Sequence, residues 1–319
     1  MAGKHRVIPI FIPQKACPYK CVYCNQFAIA GQGGVPRPEV VEHIIQEHLA
    51  TMPADAEKRI AFFGGSFTGM SIAEQNEYLV VAQPYIAQGL VSGIQLSTRP
   101  DYISQEILDN LKAHHVKIIE LGAQSLDDDI LRTVNRGHTV QQVVDASKMI
   151  IENGFQLGLQ MMIGLPGDSK EKALHTAETI SSLGAKFTRI YPTLVVENTL
   201  LAQWYRNGQY QPLSIEEAVD WSKDIYQFFL TKGIQVLRVG LHPSEGLLSG
   251  KDYIAGPFHV SFKELVLTAI WHERIQKEVD AHPGEEVIIT VPAHEINYAV
   301  GYNSANRKAF PTVELRMEK

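Results

Sequence analysis

The residues best suited to chemistry are three cysteines that lie within eight positions of one another. Cys17, Cys21 and Cys24 are also the only cysteines among the 319 residues. An odd number of closely spaced cysteines does not fit a disulfide framework, and cysteines placed for packing are scattered through apolar segments. The spacing Cys-x-x-x-Cys-x-x-Cys therefore predicts a metal site in a loop near the N-terminus.

The number of thiolates narrows the choice of metal. Soft thiolates bind zinc or iron–sulfur clusters. A structural zinc ion almost always takes four protein ligands, whereas a four-iron cluster uses one protein ligand per iron. Three cysteines would leave one iron open to an external ligand, which a catalytic cluster requires. A 4Fe–4S cluster is the favoured interpretation, with zinc and a chance arrangement as the alternatives.

The composition is typical of a globular protein. Hydrophobic residues make up 45% of the chain and charged residues 20%, which argues against disorder. The apolar runs are too short for a membrane span, and Pro9 and Pro13 argue against a signal peptide. Lys and Arg number 29 against 35 Asp and Glu, so net charge gives no general case for nucleic acid binding. Reduced thiolates in an oxygen-sensitive cluster lead us to expect a cytoplasmic protein.

Short apolar runs flanked by Gly or Pro alternate with segments of helical periodicity. The predicted strands are Val7–Ile12, Arg59–Phe63, Gly93–Thr98, Lys117–Gly122, Gln156–Ile163 and Lys186–Tyr191. The predicted helices between them are Pro38–Thr51, Ile72–Ile86, Ser104–His114, Val140–Asn153 and Lys170–Leu183. Strand–helix–strand repetition implies parallel strands with right-handed crossovers. Six such units are fewer than a complete barrel needs. The sequence therefore predicts an α/β fold, a partial (β/α)6 TIM-like barrel open on one side.

The pattern changes after Pro192. The predicted elements there are helices Thr199–Arg206, Ile215–Leu230 and Phe262–Val279, a strand Ile234–Val239 and a long loop Leu241–Val260. A small α+β segment follows, with a strand Val287–Val291, a helix from Ala293, a turn at Gly301 and a second helix through Arg307–Phe310. We therefore divide the chain into a barrel (1–240), a loop and long helix that close it (241–280) and a C-terminal segment (281–319).

The C-terminal segment resembles half of a KH module, in which a Gly-x-x-Gly turn clamps a nucleic-acid backbone. Gly301 begins such a turn, and Ser304 stands at the position of the second glycine. From His282 to Lys319 there are four Lys or Arg against five acids, which gives no basic footprint. RNA contact and a plain closing cap both remain open for this segment.

The cysteine motif, with Tyr23 directly before the last cysteine, resembles that of the radical S-adenosylmethionine (SAM) superfamily. The resemblance implies a 4Fe–4S cluster on the three cysteines, with SAM on the open iron. It also implies a flavodoxin- or ferredoxin-like reductant, whose electron splits SAM into methionine and a 5′-deoxyadenosyl radical. The protein would place that radical against one C–H bond of its substrate while excluding water.

Residues at the ends of successive predicted strands extend the resemblance, because such barrels carry their sites at the carboxyl ends of the strands. The residues that it implies for SAM binding are Tyr23, Gly64, Gly65, Ser66, Ser97, Gln124, Arg136 and Gln160. Glycines let a backbone approach a ligand closely, and an arginine fork suits a carboxylate. Substrate candidates are Tyr191, at the end of the sixth strand, and Arg238 and His242, near the long loop. No catalytic residue is identified.

Within the superfamily, the chain resembles the catalytic subunit of the Elongator complex and its short bacterial relatives. Four segments carry this likeness: Ser97–Tyr102, Glu120–Ser125, Asn135–Thr139 and Tyr191–Val196. It implies modification of the wobble uridine of tRNA as one candidate activity. Elongator joins this barrel to an acetyltransferase domain, whose acetyl-CoA loop, Gln/Arg-x-x-Gly-x-Gly/Ala, is not found in the sequence. The expectation is a radical SAM enzyme acting on RNA or tRNA. The alternatives are a non-catalytic iron–sulfur electron carrier and a zinc-binding RNA factor.

Overall fold

The computed structural model describes residues 6–13, 15–17, 21–31 and 34–318, and every element named below lies within them. The strands are β1 (Arg6–Ile12), β2 (Lys58–Gly64), β3 (Ile94–Thr98), β4 (Val116–Gln124), β5 (Gln156–Ile163), β6 (Phe187–Pro192), β7 (Val195–Val196), β8 (Gln235–Val239), β9 (Tyr253–Ala255), β10 (Val287–Val291) and β11 (Val313–Met317).

The helices are α1 (Gln26–Ala30), α2 (Pro38–Thr51), α3 (Ile72–Ala87), α4 (Gln105–Ala113), α5 (Asp128–Thr133), α6 (Val140–Glu152), α7 (Lys170–Ser182), α8 (Leu200–Arg206), α9 (Ile215–Thr231), α10 (Glu245–Leu248), α11 (Phe262–Ala281), α12 (Ile296–Val300) and α13 (Ala305–Ala309). Several begin at a side-chain cap: Ser104 accepts a hydrogen bond from Ile107 at the start of α4, and Thr139 forms a capping box with Gln142 at the start of α6.

Seven strands form one parallel sheet in the order β1-β2-β3-β4-β5-β6-β8. Each new strand is added beside the previous one, so the sheet curves as part of a barrel and leaves β1 and β8 at its two edges. Because all seven strands run in the same direction, their carboxyl ends lie along one rim. We call this edge of the sheet the strand-end rim.

The predicted fold class is confirmed, and the predicted number of barrel strands is corrected from six to seven. The sequence predicts a strand at Ile234–Val239 within the barrel region but does not count it among the six strand–helix units. In the structure this strand, β8, pairs in parallel with β6, and Thr188 lies opposite Val236. Two helices and a two-residue strand separate β6 from β8, which hides the strand–helix–strand repeat.

The central strands of the sheet are buried on both faces. All five residues of β3 are buried, and Ile8, Ile60 and Leu159 have no solvent exposure. Full burial of one such side chain contributes roughly 1.5–3 kcal/mol to stability. The apolar interior therefore fixes the strands, and with them the residues at the strand-end rim.

The segment Leu241–Val260, predicted as a loop without regular structure, contains two short elements. One is α10 and the other is β9, which pairs antiparallel with β7 so that Val195 lies opposite Ala255. Elements of three or four residues are too short to show a hydrophobic period. This correction places a small two-stranded sheet next to the strand-end rim.

The C-terminal segment contains one strand that the sequence analysis missed. β11 pairs in parallel with β10, and Val313 lies opposite Val287. Its apolar residues alternate with Glu314 and Arg316, which is the period of a half-buried strand. The first helix of this segment begins at Ile296, later than predicted.

The turn at Gly301 packs against α11. The backbone amide of Tyr302 donates to Oγ1 of Thr268 at 2.9 Å, and the amide of Ser304 donates to the carbonyl of Gly301. Two backbone amides of the turn thus donate their hydrogen bonds to acceptors within the chain. The likeness to a KH module and the division at 240 and 280 stay predictions. No helix in the described part of the chain has the length and apolar character to span a membrane.

Candidate active site

The three cysteines lie in the loop that follows β1, at the strand-end rim. The amide of Val22 donates to the carbonyl of Val134 at 3.1 Å, and the amide of Leu201 donates to the carbonyl of Val22 at 2.8 Å. Cys21 is buried, and the other two cysteines are partly exposed. Positions 18–20 lie outside the described residues. The loop is therefore held by the residue that follows α5 and by the first turn of α8.

The thiols are close enough to influence one another. Burial, followed by the charges of Cys21 and Cys17, raises the pKa of Cys24 to about 12, and burial raises the pKa of Cys17. Ionised together, the thiols would repel one another unless a cation neutralised them. Among the described residues no three Cys, His, Asp or Glu side chains form a preorganised site for an ion. The three predicted ligands are all sulfur, which fits an iron–sulfur cluster.

Arg136, for which the resemblance implies SAM binding, lies against the cysteine loop; its contact with SAM stays a prediction. Its Nη1 donates to Sγ of Cys21 at 3.7 Å, and its Nη2 donates to the carbonyl oxygen of Gly122 at 2.7 Å. The residue is only 8% exposed. A fixed cation beside a cysteine favours the thiolate form that binds metals. Arg136 therefore places a positive charge beside a predicted metal ligand.

Two other basic residues near Arg136 were given no role from sequence. Both nitrogens of the Arg99 fork donate to Asp101, each at 2.9 Å. Burial, followed by the charges of Arg136 and Arg99, lowers the pKa of His138 to about 3. The imidazole is therefore neutral at neutral pH. Arg99 and His138 belong to the segments Ser97–Tyr102 and Asn135–Thr139. Nothing in these two segments indicates that the residues are buried together.

Glycine is needed at positions 64 and 65 because the chain that leads into the cysteine loop approaches them closely. The amide of Gly65 donates to the carbonyl of Ile12 at 2.6 Å, and a Cβ atom on Gly65 would lie 2.4 Å from the carbonyl oxygen of Lys15. Gly64 has a φ of +106°, which favours glycine. The two glycines therefore set the position of the backbone two residues before Cys17.

Ser66 is fully buried and joins two strand ends. Its Oγ lies 3.1 Å from Oγ1 of Thr98, and that oxygen lies 2.6 Å from Oγ1 of Thr68. The amide of Arg99 donates to Oγ of Ser66 at 3.4 Å. These contacts connect the end of β2 with the end of β3. The contact between Ser66 and SAM stays a prediction.

A cavity of about 670 Å³ runs along the inside of the sheet and reaches the cysteine loop at Cys24. This volume is within the range of sites for organic ligands. Nine predicted site residues line it: Tyr23, Cys24, Gly64, Ser97, Gln124, Gln160, Tyr191, Arg238 and His242. The other five lie outside its lining: Cys17, Cys21, Gly65, Ser66 and Arg136. The structure thus brings most of the predicted residues to one cavity.

Gln124 has a strained backbone. Its φ is +67°, and the pairing of β4 with β5 is irregular between Gly122 and Gln124. Positive φ at a residue other than glycine is uncommon and concentrates at functional sites. The irregularity places Gln124 in the cavity wall at the strand-end rim.

A buried ion pair lies in the middle of the sheet, and sequence reasoning missed it. Glu120 of β4 is 1% exposed and accepts hydrogen bonds from Nε and Nη2 of Arg189, the latter at 2.9 Å. The side-chain amides of Gln95 and Gln160 donate to the same carboxylate, Gln160 at 3.0 Å. We call these four residues the mid-sheet network. Gln160 is therefore held by Glu120, and its implied role in SAM binding stays a prediction.

The mid-sheet network also reaches the cavity wall. Arg189 lies over the ring of Phe63, with 4.6 Å from Cζ to the ring centroid. Burial opposes the charged form of Arg189, but the charge of Glu120 outweighs it, and the pKa of Arg189 is raised. A charged residue inside an otherwise apolar strand was the signal for this pair. Glu120 follows Ile118 and Ile119 in the sequence.

Comparison with known proteins gives two matches to family sequence patterns. The pattern of the radical SAM superfamily matches residues 11–180, and that of the radical SAM C-terminal domain matches residues 185–271. The first match covers the cysteine loop and strands β2 to β5. The second covers β6, β8 and the first half of α11.

Two curated relatives and one solved structure are similar to the chain. The tRNA uridine(34) acetyltransferase of Dehalococcoides mccartyi is 31% identical over 243 residues, which are 65% of this chain and 53% of that protein. Elongator complex protein 3 of Saccharomyces cerevisiae is 33% identical over 131 residues, 40% of this chain and 24% of that protein. The chain therefore spans about half, or less, of the length of these relatives.

The solved structure is that of Elp3 from the archaeon Methanocaldococcus infernus, with an N-terminal deletion of residues 1–46. It matches with a TM-score of 0.66 at 19% identity, covering 87% of this chain and 64% of that one. At this level of identity the likeness concerns the fold.

Proposed function

Since the chain belongs to the radical SAM superfamily, we propose that it binds a 4Fe–4S cluster through Cys17, Cys21 and Cys24 and acts on RNA, with tRNA as the substrate. The observation that carries the proposal is the cavity that leads from Cys24 along the inside of the sheet. When bound, the cluster and SAM supply a 5′-deoxyadenosyl radical that removes a hydrogen atom from a substrate C–H bond.

The residues of this chain bind, orient and shield the reactants. Gly64, Ser97 and Gln124 line the cavity at the strand-end rim, which supports a position for SAM beside Cys24. Arg136 donates to Cys21 from behind the loop.

Two observations support RNA as the substrate class. The cavity wall contains Arg59, Arg189, Arg238 and Lys263, and none of its described residues is Asp or Glu. A positive lining suits a polyanion. One similar protein is named a tRNA uridine(34) acetyltransferase, and tRNA is the RNA that we propose for this chain.

The chemistry also requires one electron for each cleavage of SAM. We propose a flavodoxin- or ferredoxin-like protein as the donor, because such carriers deliver single electrons at low potential. Thiols stay reduced in the cytoplasm, and we propose that the chain works there.

The test uses the full chain, reconstituted with iron and sulfide without oxygen and then mixed with dithionite, SAM and deuterated tRNA transcripts. We expect 5′-deoxyadenosine to form and to carry deuterium from the tRNA. A cluster-loaded chain that cleaves SAM but takes no deuterium from tRNA, and is not stimulated by it, would exclude tRNA as the hydrogen donor. A chain that binds one zinc ion and no iron would exclude the cluster.

A further inference from the structure

One wall of the cavity carries positive charge that the described structure leaves unpaired. Arg238 lies on the edge strand β8, His242 follows that strand, and Lys263 is the second residue of α11. All three line the cavity. We call these three residues the basic wall.

Each of the other two arginines in the cavity lies beside an acid. Arg189 pairs with Glu120, and Arg59 lies 3.7 Å from Glu57. In the described part of the chain, by contrast, neither Arg238 nor Lys263 takes part in an ion pair. Burial, followed by the charge of Arg238, lowers the pKa of Lys263, and the same two causes lower the pKa of His242.

Acids on neighbouring elements do not offset this charge. Glu264 follows Lys263 on α11, but its side chain is exposed and is not part of the cavity lining. Glu245 of α10 is also exposed and outside the lining. Among the residues that the structure describes, Arg238 is the charged group that acts on Lys263 and on His242. The positive charges of Arg238 and Lys263 in the basic wall therefore repel each other.

The position of Lys263 adds to the repulsion. The first turn of a helix carries a partial positive charge, which disfavours cations there. α11 is 20 residues long, and its N-cap residue, Ser261, makes no side-chain capping hydrogen bond. Two cations and the positive end of a long helix thus meet at one partly buried surface. An anion bound there would relieve the repulsion between them.

We propose that Arg238 and Lys263, with His242 beside them, bind a phosphate group of the substrate. The inference rests on the proposed function, because it takes the substrate to be a nucleotide, either within RNA or free. A phosphate carries the charge and the acceptor oxygens that an arginine fork and an ammonium group bind. The cavity continues from this wall to Cys24, so a nucleotide held by its phosphate would extend its nucleoside toward the strand-end rim.

The experiment compares the unaltered chain with the double variant Arg238→Gln/Lys263→Gln, each reconstituted with its cluster. Fluorescently labelled tRNA is titrated at several salt concentrations, and uridine 5′-monophosphate is titrated separately by calorimetry. We expect the double variant to bind tRNA roughly tenfold more weakly, with a salt slope smaller by about two. Uridine 5′-monophosphate should lose its measurable binding.

The matched control is Lys148→Gln/Lys277→Gln, which removes the same charge from exposed helical positions outside the cavity. It should bind both ligands as the unaltered chain does. Arg307→Gln/Lys308→Gln tests the C-terminal segment in the same way. If this last variant, and not the cavity variant, lost tRNA binding, the phosphate site would be wrongly assigned.

The two ligands separate the two proposals. Binding of tRNA and of uridine 5′-monophosphate that is unchanged in the cavity variant overturns the phosphate site and leaves the proposed function standing. Binding of the mononucleotide alone, lost in the cavity variant, supports the site and overturns RNA as the substrate. If the unaltered chain binds neither ligand, both proposals fail. Iron content and thermal unfolding of each variant verify that it is folded and loaded.

Discussion

The strand-end rim and the middle of the same sheet are built in different ways. At the rim, residues that are close in sequence act together: the three cysteines share one loop, and Gly64, Gly65 and Ser66 are consecutive. In the middle of the sheet, Glu120 and Arg189 are 69 positions apart. They meet because the strands that carry them, β4 and β6, lie on either side of β5 in the sheet. Motifs reveal the first region, and strand order reveals the second.

The two regions also depend on different forces. The rim relies on close approach of one backbone to another, as where the amide of Gly65 meets the carbonyl of Ile12. The middle of the sheet relies on compensation of a buried charge, since Glu120 and Arg189 are both shielded from solvent. Changes at the rim should therefore affect the cofactor first, and changes in the middle should affect stability first. The following predictions test this separation.

The largest effect is expected at the rim, for Cys21→Ala. One of the three proposed protein ligands of the cluster would be lost, and with it the buried sulfur beside Arg136. We expect the iron bound after anaerobic reconstitution to fall from about four atoms per chain to background, and formation of 5′-deoxyadenosine to disappear. Iron analysis and visible absorbance measure the first effect, and chromatography the second. A variant that kept its iron in full would remove Cys21 from the ligand set.

The next effect is expected in the middle of the sheet, for Glu120→Leu. Removal of the carboxylate leaves Arg189 buried without its partner, and breaking such a pair destabilises a protein by about 3–5 kcal/mol. Urea unfolding monitored by circular dichroism measures the change. Folded variant protein should still take up iron, because Glu120 is not at the cysteine loop.

The matched control is the double variant Glu120→Leu/Arg189→Met, which removes both charges. Replacing a buried ion pair with apolar residues of similar size is often close to neutral. The double variant should therefore be more stable than Glu120→Leu alone. If it were less stable, the ion pair would contribute more than charge compensation, and the contrast between the two regions would be wrong.

The difference between the regions also explains what could be predicted from sequence. Superfamily membership and the fold class are confirmed, and helix Pro38–Thr51 and strand Gln156–Ile163 are predicted with the bounds that the structure gives. These depend on local signals, namely spacing of cysteines, hydrophobic period and caps. The seventh strand of the sheet, the strand Val313–Met317 and the mid-sheet network depend on pairing between distant segments, which one sequence does not display.

The same difference, between what local signals predict and what packing decides, applies to single residues of the site. Arg136 was found by its motif, but its direction toward Cys21 and away from the cavity is decided by packing. Lys263, which lines the cavity, was missed because it lies in an amphipathic helix, where a lysine is expected on the solvent side. In both cases the sequence shows the type of the residue, but it does not show what surrounds the side chain in the fold.

A smaller effect is expected for Gly65→Ala. The added Cβ would lie 2.4 Å from the carbonyl oxygen of Lys15, so the chain leading into the cysteine loop must move. Overpacking of this kind destabilises by about 1–3 kcal/mol, and the rim should lose iron before the sheet unfolds. Thermal unfolding with parallel iron analysis follows both. The control is Gly34→Ala, where a Cβ would meet nothing within 4 Å; equal loss of iron in both variants would contradict the packing argument.

The smallest effect concerns pH and the buried imidazole near Arg136. Burial and the charges of Arg136 and Arg99 lower the pKa of His138 to about 3 in the folded chain, whereas an unfolded histidine has a pKa of about 6.5. Between these values the unfolded state takes up a proton that the folded state does not. Stability therefore falls as the pH falls, on the order of 2 kcal/mol between pH 7 and pH 5 from this group alone.

His138→Gln should remove that contribution, because the neutral amide does not titrate. The loss of stability between pH 7 and pH 5, measured by urea unfolding without oxygen, should be smaller in this variant than in the unaltered chain. His175→Gln is the control, since His175 is exposed, and it should leave the pH dependence unchanged. Equal pH dependence in the unaltered chain and in His138→Gln would mean that His138 gains a proton in the folded state. The rim would then be more open to water than its packing indicates.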